Sequence, residues 1–273
     1  MKKTGICIAS ILICASAFAQ KDSARTGEPY LRNSATPAKQ KFSISANIGA
    51  GIPMEDYGNT SQTPFSNVDT THIAGLATTG FHFNLNASYL FSKFFGPTIM
   101  IGGTLNTFDE AQWQALRSAA VPGITTSVSG SFYIGQYLIG PYASLPVSDK
   151  VQIEFKALFG ILTANYPIIS QTYPANYGIN IPNFNYGEPT TQVKTIATSS
   201  DFGYYFGTGI KYMATNHIGI SLNVGYTGSD VGYPNVTVTY DQSGSSIYTK
   251  YSTHTRYMQL GIFQTTAGVS YNW

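Results

Sequence analysis

The chain has 273 residues, of which 43% are hydrophobic, 14% aromatic and only 10% charged, whereas an average soluble domain carries roughly 25% charged residues. This composition excludes an intrinsically disordered chain and a charged helical bundle. The 27 glycines and 20 tyrosines are typical of strands and turns. The length fits two small domains or a single β-barrel of about 200 to 250 residues.

The first 19 residues have the pattern of a secretory signal peptide. Lys2 and Lys3 precede an uncharged run over residues 6–19 that ends in Ala-Phe-Ala, a small-x-small cleavage site. The run is shorter than the roughly 20 residues of a membrane-spanning helix. We therefore expect cleavage after Ala19. Cys7 and Cys14 lie inside the removed segment, so the exported chain is predicted to have no thiol, and bulky Ile13 argues against lipidation of Cys14.

Residues 20–41 are predicted to form a flexible periplasmic tail. The stretch carries five basic and two acidic side chains, a net charge of +3, and it has Gly27, Pro29 and Pro37 but no apolar periodicity. Such a segment is typical of a linker. The remainder of the chain, residues 42–273, is predicted to form one domain.

That domain is dominated by alternation of apolar and polar residues, which indicates strands with two unlike faces. The first strand alternates cleanly from Phe42 to Ile52, and further clean segments are 81–91, 151–161, 202–212 and 218–226. The segments 97–107 and 127–144 alternate less strictly, and the last strand covers 256–273.

The polar face decides which side of these strands meets water. A soluble barrel of the lipocalin kind would need Lys and Glu on its outer face, whereas here the polar face carries neutral groups such as Ser43, Asn47, Asn84 and Asn223. Neutral polar groups suit a narrow lumen, and the apolar face suits lipid with aromatic girdles. No predicted mature segment reaches 18 uninterrupted apolar residues, so a closed barrel is the predicted way to span a bilayer.

The connections alternate in length as a membrane barrel requires. Long connections cover 53–78, 108–126, 164–199 and 227–255, and short ones cover 92–96, 145–150 and 214–217. Seven connections imply eight strands with both termini on the periplasmic side, or ten if a long loop hides another hairpin. The predicted fold is all-β: an eight-stranded antiparallel up-and-down transmembrane β-barrel with long extracellular loops and one short loop helix.

Two features carry a resemblance to a known family. The last strand ends in Val269, Tyr271 and Trp273, which is similar to the C-terminal signal read by the outer-membrane barrel assembly machinery. The segment 140–150, which opens Gly-Pro-Tyr, and the segment 155–158 resemble small outer-membrane β-barrel proteins of Bacteroidota. The resemblance implies an OmpA/OmpX-like, porin-family-like barrel in contact with outer-membrane lipid. No peptidoglycan-binding domain follows the last strand, so cell-wall anchoring is not implied.

The histidines give little support for catalysis. His72 and Asp69 have a spacing that could hold a metal but lack a third ligand, and His82, His217 and His254 have no motif partner. No G-x-S-x-G, H-E-x-x-H or Walker A pattern occurs. We therefore predict no catalytic residue, metal or cofactor, although barrel acyltransferases and proteases keep a lipid-modifying enzyme as an alternative.

Three charged residues fall on the predicted lumen face: Glu154 and Lys156 in one strand and Lys211 in the next. They could form an internal ion-pair network or a selectivity ring in a small pore. Because eight strands enclose a lumen just wide enough for side chains, the network is favoured.

The only convincing helical pattern covers residues 108–120. Asp109 can cap its start, and Pro122-Gly123 ends it. Trp113, Leu116 and Ala120 share one face, which we predict packs as a lid on the barrel mouth rather than binding a partner.

Two loops suggest surface contacts. The third long loop interleaves aromatic and proline residues and could bind an external partner or simply pack on itself; its aromatics are Tyr166, Tyr173, Tyr177, Phe184 and Tyr186. In the fourth, residues 236–251 are predicted to form a hairpin. No concentrated basic patch indicates nucleic-acid binding. The predicted function is a non-enzymatic outer-membrane protein, with a small pore as the alternative.

Overall fold

The computed structural model describes residues 41–61, 73–175, 177, 188–196, 198–233, 236–242, 246–252 and 255–273. Eight strands form a closed barrel: β1 Phe42–Met54, β2 Gly80–Tyr89, β3 Phe95–Asn106, β5 Phe132–Pro146, β6 Val151–Asn165, β9 Ser199–Met213, β10 Ile218–Tyr233 and β13 Arg256–Asn272. Five more form a second sheet: β4 Thr125–Ser129, β7 Ile168–Tyr173, β8 Thr190–Ile196, β11 Val236–Gln242 and β12 Ser246–Ser252. Helix α1 is Glu110–Ala120, and a 3-10 turn covers Glu55–Gly58.

Every barrel strand is antiparallel to its two neighbours, and β1 closes the barrel by pairing with β13. Following the paired residues once around the wall from Ile44 leads back to β1 at Met54, ten positions further along the strand. Such a stagger requires strands tilted by about 35–45° to the barrel axis. The predicted eight-stranded antiparallel barrel is confirmed.

The wall has apolar residues outside and polar residues inside. Each strand carries an outward aliphatic side chain that is more than half exposed: Ile48, Leu85, Ile101, Ile139, Ile161, Ile210, Leu222 and Val269. Each also carries a buried polar side chain that faces the lumen: Asn47, Asn84, Thr104, Gln136, Glu154, Lys211, Ser221 and Gln264. This arrangement is the reverse of a water-soluble barrel and matches the orientation predicted from the sequence.

The second sheet corrects the interpretation of the third long connection as a loop without strands. Its strand order is β12-β11-β8-β7-β4, so the third connection contains β7 and β8, and the predicted hairpin of the fourth is β11 paired with β12. We call these five strands the outer sheet. All of them lie in connections at the end of the barrel opposite the chain termini, where the strand pairs β4–β7 and β8–β11 join different connections into one layer.

The segment predicted as one strand over 127–144 is in fact two strands. Gly130 has φ +88, a left-handed conformation that glycine adopts at little cost. The chain turns there, so β4 joins the outer sheet by pairing with β7 and β5 starts the barrel wall at Phe132. Alternation alone could not reveal this change of sheet, because both strands keep the same period.

Helix α1 begins and ends as predicted. The Asp109 carboxylate accepts a hydrogen bond from the Gln112 backbone N–H at 2.9 Å, a standard N-cap contact. Trp113 is 1% exposed and lies edge-on against Phe108, with ring centroids 5.6 Å apart. Leu116 packs against the same apolar cluster. Trp113 and Leu116 therefore pack the helix onto this cluster, whereas Ala120, which was predicted to share their packing face, is exposed. No helix within the described ranges has the length and apolar character needed to cross a bilayer.

Replacing Trp113 by alanine is expected to loosen this lid. Removing a fully buried Trp side chain costs about 3–5 kcal/mol, and the loss should appear as faster proteolysis within residues 108–124. The exposed Ala119, changed to serine, provides the control on the same helix. Equal protease resistance of the Trp113→Ala and Ala119→Ser proteins would show that Trp113 does not hold the lid.

Candidate functional site

The lumen brings together the three charged residues predicted from the sequence. Glu154 Oε1 is paired with Lys211 Nζ and also accepts a hydrogen bond from the Tyr142 hydroxyl at 2.5 Å. Lys156 Nζ lies 3.9 Å from Glu154 Oε2. The three charged side chains are only 4–9% exposed. We call Glu154, Lys156, Lys211 and Tyr142 the charged cluster, and a cluster so deeply buried fills the lumen with fixed contacts.

A network of neutral side chains lies beside the charged cluster. Asn47 donates to Asn84 Oδ1 at 2.8 Å, and its own Oδ1 accepts from Ser221 at 3.2 Å and Asn223 at 3.1 Å. Asn86 also donates to Asn84 Oδ1 at 2.8 Å. These bonds link β1 to its neighbour β2 and, past β13, to β10. The alternation in the sequence predicted that these residues share the inward face, but it did not predict which of them form hydrogen bonds with each other.

His82 belongs to this network of neutral side chains. Its side chain is fully buried, with Nδ1 2.8 Å from Thr104 Oγ1 and Nε2 3.0 Å from Asn84 Nδ2. His217 lies at a short turn, where Nδ1 is 2.9 Å from the Asn272 carbonyl. His72 and His254 lie outside the described residues. Among the described residues, no group of three His, Cys, Asp or Glu is arranged to hold a metal ion.

The outer half of the lumen contains an apolar cluster beside buried polar residues such as Thr104 and Gln136, which corrects the expectation of a polar lumen throughout. Inward-facing Ile134, Leu138, Leu158 and Leu162 are all at most 1% exposed and belong to the same cluster as the lid residues. Other members of this cluster come from the connections: Tyr57, Ile73, Phe108, Trp113 and Tyr166. We call this cluster the apolar plug. Because the connections cover the mouth, apolar side chains there are shielded from water.

Two of the loop aromatics are buried, which for these two favours the alternative that the loop packs on itself. Tyr166 is 6% exposed within the apolar plug, where its ring lies 4.9 Å from that of Phe132 and its hydroxyl donates to the Ala74 carbonyl. Tyr173 is 8% exposed and stacks on Tyr177 at 5.2 Å. Their aromatic surface already contributes to packing of the lid and the outer sheet.

Tyr177 is the predicted loop aromatic that remains accessible among those the structure describes, with 46% of its surface exposed. Phe184 and Tyr186 lie outside the described residues. Tyr177 stacks on Tyr173, the last residue of β7, rather than projecting alone.

Gln114 of helix α1 satisfies two backbone groups at the start of β4, the edge strand of the outer sheet. Gln114 Oε1 accepts hydrogen bonds from the Thr126 backbone N–H at 2.7 Å and its hydroxyl at 2.6 Å, and Gln114 Nε2 donates to the Ile124 carbonyl at 2.8 Å. The side-chain amide thereby replaces a neighbouring strand. Covering an edge in this way prevents unwanted strand pairing. Arg117, from the same helix, donates to the Tyr173 hydroxyl at 3.2 Å.

The surroundings of Lys194, on β8 of the outer sheet, lower the pKa of its ammonium group. Burial lowers the pKa of Lys194 to about 8, and the positive charges of Arg117 and Arg256 contribute to that lowering. The ordinary value is 10.5. The outer sheet therefore favours the neutral amine.

We expect the stability of the outer sheet to rise with pH between about pH 8 and 10.5. In this window the unfolded chain binds the Lys194 proton and the folded chain releases it, so raising the pH favours folding. Urea unfolding followed by Trp113 fluorescence, in a Trp273→Phe background that removes the second tryptophan, should show a rising midpoint from pH 7.5 to 9.5. The Lys194→Met protein should lose that rise, and an identical rise in both proteins would contradict the assignment.

The C-terminal strand presents its predicted signal residues outward. Val269, Tyr271 and Trp273 are 58%, 45% and 50% exposed on the apolar face. The Tyr271 and Trp273 rings are 4.6 Å apart, and Phe42 lies 5.1 Å from Trp273 across the β1–β13 closure. These rings form an aromatic patch at the inner end of the wall. Their recognition by assembly machinery stays a prediction.

A concavity of about 810 Å³ is lined mainly by outward-facing residues of the wall, and it shares Thr208, Gly209 and Asn223 with a narrow void lined by Glu154 and Lys156. Small side chains such as Ala50, Thr265 and Ala267 form its floor between Ile48 and Leu222. Its lining is mainly apolar and it opens on the face that meets lipid in a membrane barrel. It therefore adds no site to the lumen.

No protein-family model matches the chain, and no curated protein sequence matches it. Among solved structures, it is similar to Ail, the attachment invasion locus protein of Yersinia pestis, at 13% identity and TM-score 0.40, covering 86% of this chain and 100% of Ail. A major outer membrane protein from Thermus thermophilus matches at 11% identity and TM-score 0.41, covering 86% of this chain and 100% of that one.

A third match is the outer membrane protease OmpT from Escherichia coli, at 10% identity and TM-score 0.40, covering 87% of this chain and 98% of OmpT. The fold class of the present chain rests on its own strand pairing and closure. Its function has to be argued from its own residues.

Proposed function

We propose that this chain is a non-enzymatic integral protein of the bacterial outer membrane, whose barrel has a closed lumen and holds the outer sheet at the cell surface. The observation that carries the proposal is the sidedness of the wall. Aliphatic side chains cover the outside, while the inward face of the inner half carries amides, hydroxyls and charged groups. A barrel in water would have to reverse this order, whereas a barrel in lipid requires it.

The two layers within the lumen support a closed barrel. At the inner end, the charged cluster joins the consecutive strands β5, β6 and β9, and the asparagine network joins β1 to β2 and to β10. At the outer end, the apolar plug is continuous with Trp113 of the lid. An eight-stranded barrel has room for little besides its own side chains, so passage of large solutes would require both layers to move.

The surroundings of the histidines support a non-enzymatic role. His82 is fully buried and bonded to Thr104 and Asn84, with no carboxylate among its hydrogen-bond partners in the described part of the chain. A general base must reach the group from which it takes a proton. Substrate at the barrel mouth would meet the apolar plug before His82.

The role of the outer sheet is to hold a rigid surface beyond the membrane. Five strands drawn from the second, third and fourth connections form one layer, and Tyr177 and Tyr248 on it are 46% and 38% exposed. Exposed tyrosines on rigid backbone suit binding of an external partner, because little conformational entropy is lost on contact. Export by the signal peptide and insertion by the barrel assembly machinery complete the proposed route.

Membrane fractionation, together with heat-modifiable migration on gels, tests whether the protein is in the outer membrane. Insertion of an epitope tests which end of the barrel faces outward. An epitope between β11 and β12 should be accessible to antibody on intact cells, whereas the same epitope at residues 148–149, in the short β5–β6 turn, should be accessible only after the envelope is opened. Release of the protein by carbonate, or exposure of the β5–β6 epitope on intact cells, would overturn the proposal.

A small pore is the second candidate, and the two lysines of the charged cluster are the observation in its favour. Charged groups in a lumen can select ions. Planar-bilayer recording of correctly folded protein separates the candidates. A closed barrel predicts no reproducible single-channel steps, and regular steps that change with Lys156→Met would establish the pore instead.

A further inference from the structure

Three exposed lysines follow one half of the barrel rim at its inner end. Lys41 precedes β1, Lys93 lies in the β2–β3 turn and Lys150 lies in the β5–β6 turn. The Leu90 backbone N–H donates to the Lys41 carbonyl at 2.7 Å, and the Ser144 backbone N–H donates to the carbonyl of the residue after Lys93 at 2.9 Å. Because these bonds join the ends of consecutive strands, the three lysines lie along one arc from β1 to β6, which we call the lysine arc.

Exposed acidic side chains at the same end do not neutralise the lysine arc. Among the described residues there, Asp149 is the exposed carboxylate, so three lysines and one aspartate leave a net side-chain charge of +2. The remaining turn at this end, residues 214–217, carries no Asp, Glu, Lys or Arg. The exposed charged side chains that the structure describes at the outer end are acidic: Glu55, Glu110, Glu188 and Asp230. The exposed charge is therefore positive at the inner end and negative at the outer end.

Exposed aromatic rings fix the depth at which the lysine arc meets a bilayer. Rings at the inner end that are 37–72% exposed include Phe42, Tyr89, Phe91, Phe95 and Trp273. Aromatic belts of membrane proteins lie at the level of the lipid headgroups. Lys41 is next to Phe42 in the sequence, and Lys93 Nζ is 5.0 Å from the centroid of the Phe94 ring. The lysine arc therefore lies at the level of the lipid phosphates, which long lysine side chains can reach.

We infer that the lysine arc binds the phosphate groups of anionic phospholipids, such as phosphatidylglycerol, in the leaflet around the inner end. Phosphate oxygens accept charge-assisted hydrogen bonds from ammonium groups, and the anionic headgroup supplies the counter-charge. A zwitterionic headgroup carries its own cation, so its net attraction is weaker. One lysine near an anionic membrane surface strengthens binding about fivefold. The inference rests on the proposed membrane location but not on which end of the barrel faces outward, because vesicles present the same lipids in both leaflets.

Quenching of Trp273 fluorescence by brominated lipid measures this selectivity in the unaltered protein. The Lys41 backbone N–H donates to the Trp273 carbonyl at 2.8 Å, so Trp273 reports on lipid beside Lys41, whereas Trp113 is 1% exposed in the lid and gives a constant background. The folded protein is placed in phosphatidylcholine vesicles that contain either brominated phosphatidylglycerol or brominated phosphatidylcholine. The relative association constant at Trp273 should favour phosphatidylglycerol by about fivefold, and added salt should reduce this preference. Equal quenching by the two lipids would overturn the inference.

Variants separate the role of the lysine arc from the membrane location. Lys41→Gln should remove most of the preference at Trp273, and glutamine at all three positions of the arc should remove it completely, whereas Lys250→Gln, on β12 of the outer sheet, should keep it. A preference that survives in the triple variant would overturn the assignment to the lysine arc. Absence of quenching by either lipid would instead contradict the proposed membrane location. If the triple variant does not fold, the two lipids compared on the unaltered protein still decide the inference.

Discussion

Replacing Glu154 by glutamine is expected to lower the free energy of unfolding by about 3–5 kcal/mol, the usual cost of breaking a buried ion pair by removing one partner. The change leaves the ammonium groups of Lys156 and Lys211 together in the lumen without a carboxylate. It also removes the charged acceptor of the Tyr142 hydroxyl. Urea unfolding of the barrel in lipid vesicles measures the loss.

Two further variants identify the cause of that loss. Asp149→Asn removes a carboxylate from the exposed β5–β6 turn and should change the unfolding free energy by less than about 0.5 kcal/mol. Lys211→Met should cost less than Glu154→Gln, because Glu154 then keeps Lys156 as its counter-charge. If Glu154→Gln unfolds like the unaltered protein, the cluster is hydrated and contributes no fixed structure to the lumen.

The barrel was predictable because its determinants are local. Alternation with period two, neutral polar groups on one face and connections of unequal length each follow from a strand that lies between lipid and a lumen. The N-cap at Asp109 and the buried face of Trp113 were predictable for the same reason, since cap and face are defined within four residues. Residues far apart in sequence were not needed for these conclusions.

The charged cluster was predictable in part. Glu154, Lys156 and Lys211 share the inward face, and neighbouring strands can bring them together. Tyr142 and Tyr205 also lie on that face, but their contacts depend on the ten-residue stagger of the strands, which depends on all eight pairings at once. The charge imbalance was visible in the sequence as two lysines and one glutamate on that face.

The outer sheet and the apolar plug could not be predicted from alternation. Residues 164–199 contain enough Pro and Tyr to indicate a loop, yet β7 and β8 form there because strands from other connections complete their hydrogen bonding. Leu158 and Leu162 occupy inward positions in β6, and the inward residues in the inner half of the same strand are polar. Whether such a position meets water depends on what covers the mouth, and the cover is built by distant segments.

The largest expected effect on the lipid face is that of Leu222→Arg. Leu222 is 66% exposed and pairs with Ala267, which lies on β13 between the aromatic residues Phe263 and Tyr271. It is therefore near the middle of the apolar band. An arginine at the midplane of a membrane barrel costs about 2–4 kcal/mol, so we expect reduced insertion into vesicles and a lower unfolding midpoint in lipid.

The same substitution in the outer sheet provides the matched control. Tyr248 is 38% exposed on β12, beyond the membrane band in the proposed topology, and Tyr248→Arg should leave insertion and the midpoint nearly unchanged. In a barrel surrounded by water, the two variants would have similar stability, because an exposed arginine at position 222 would be tolerated as well as one at position 248. Equal stability of the two variants in lipid would therefore contradict the assignment of Leu222, and of the aliphatic residues around it, to hydrocarbon.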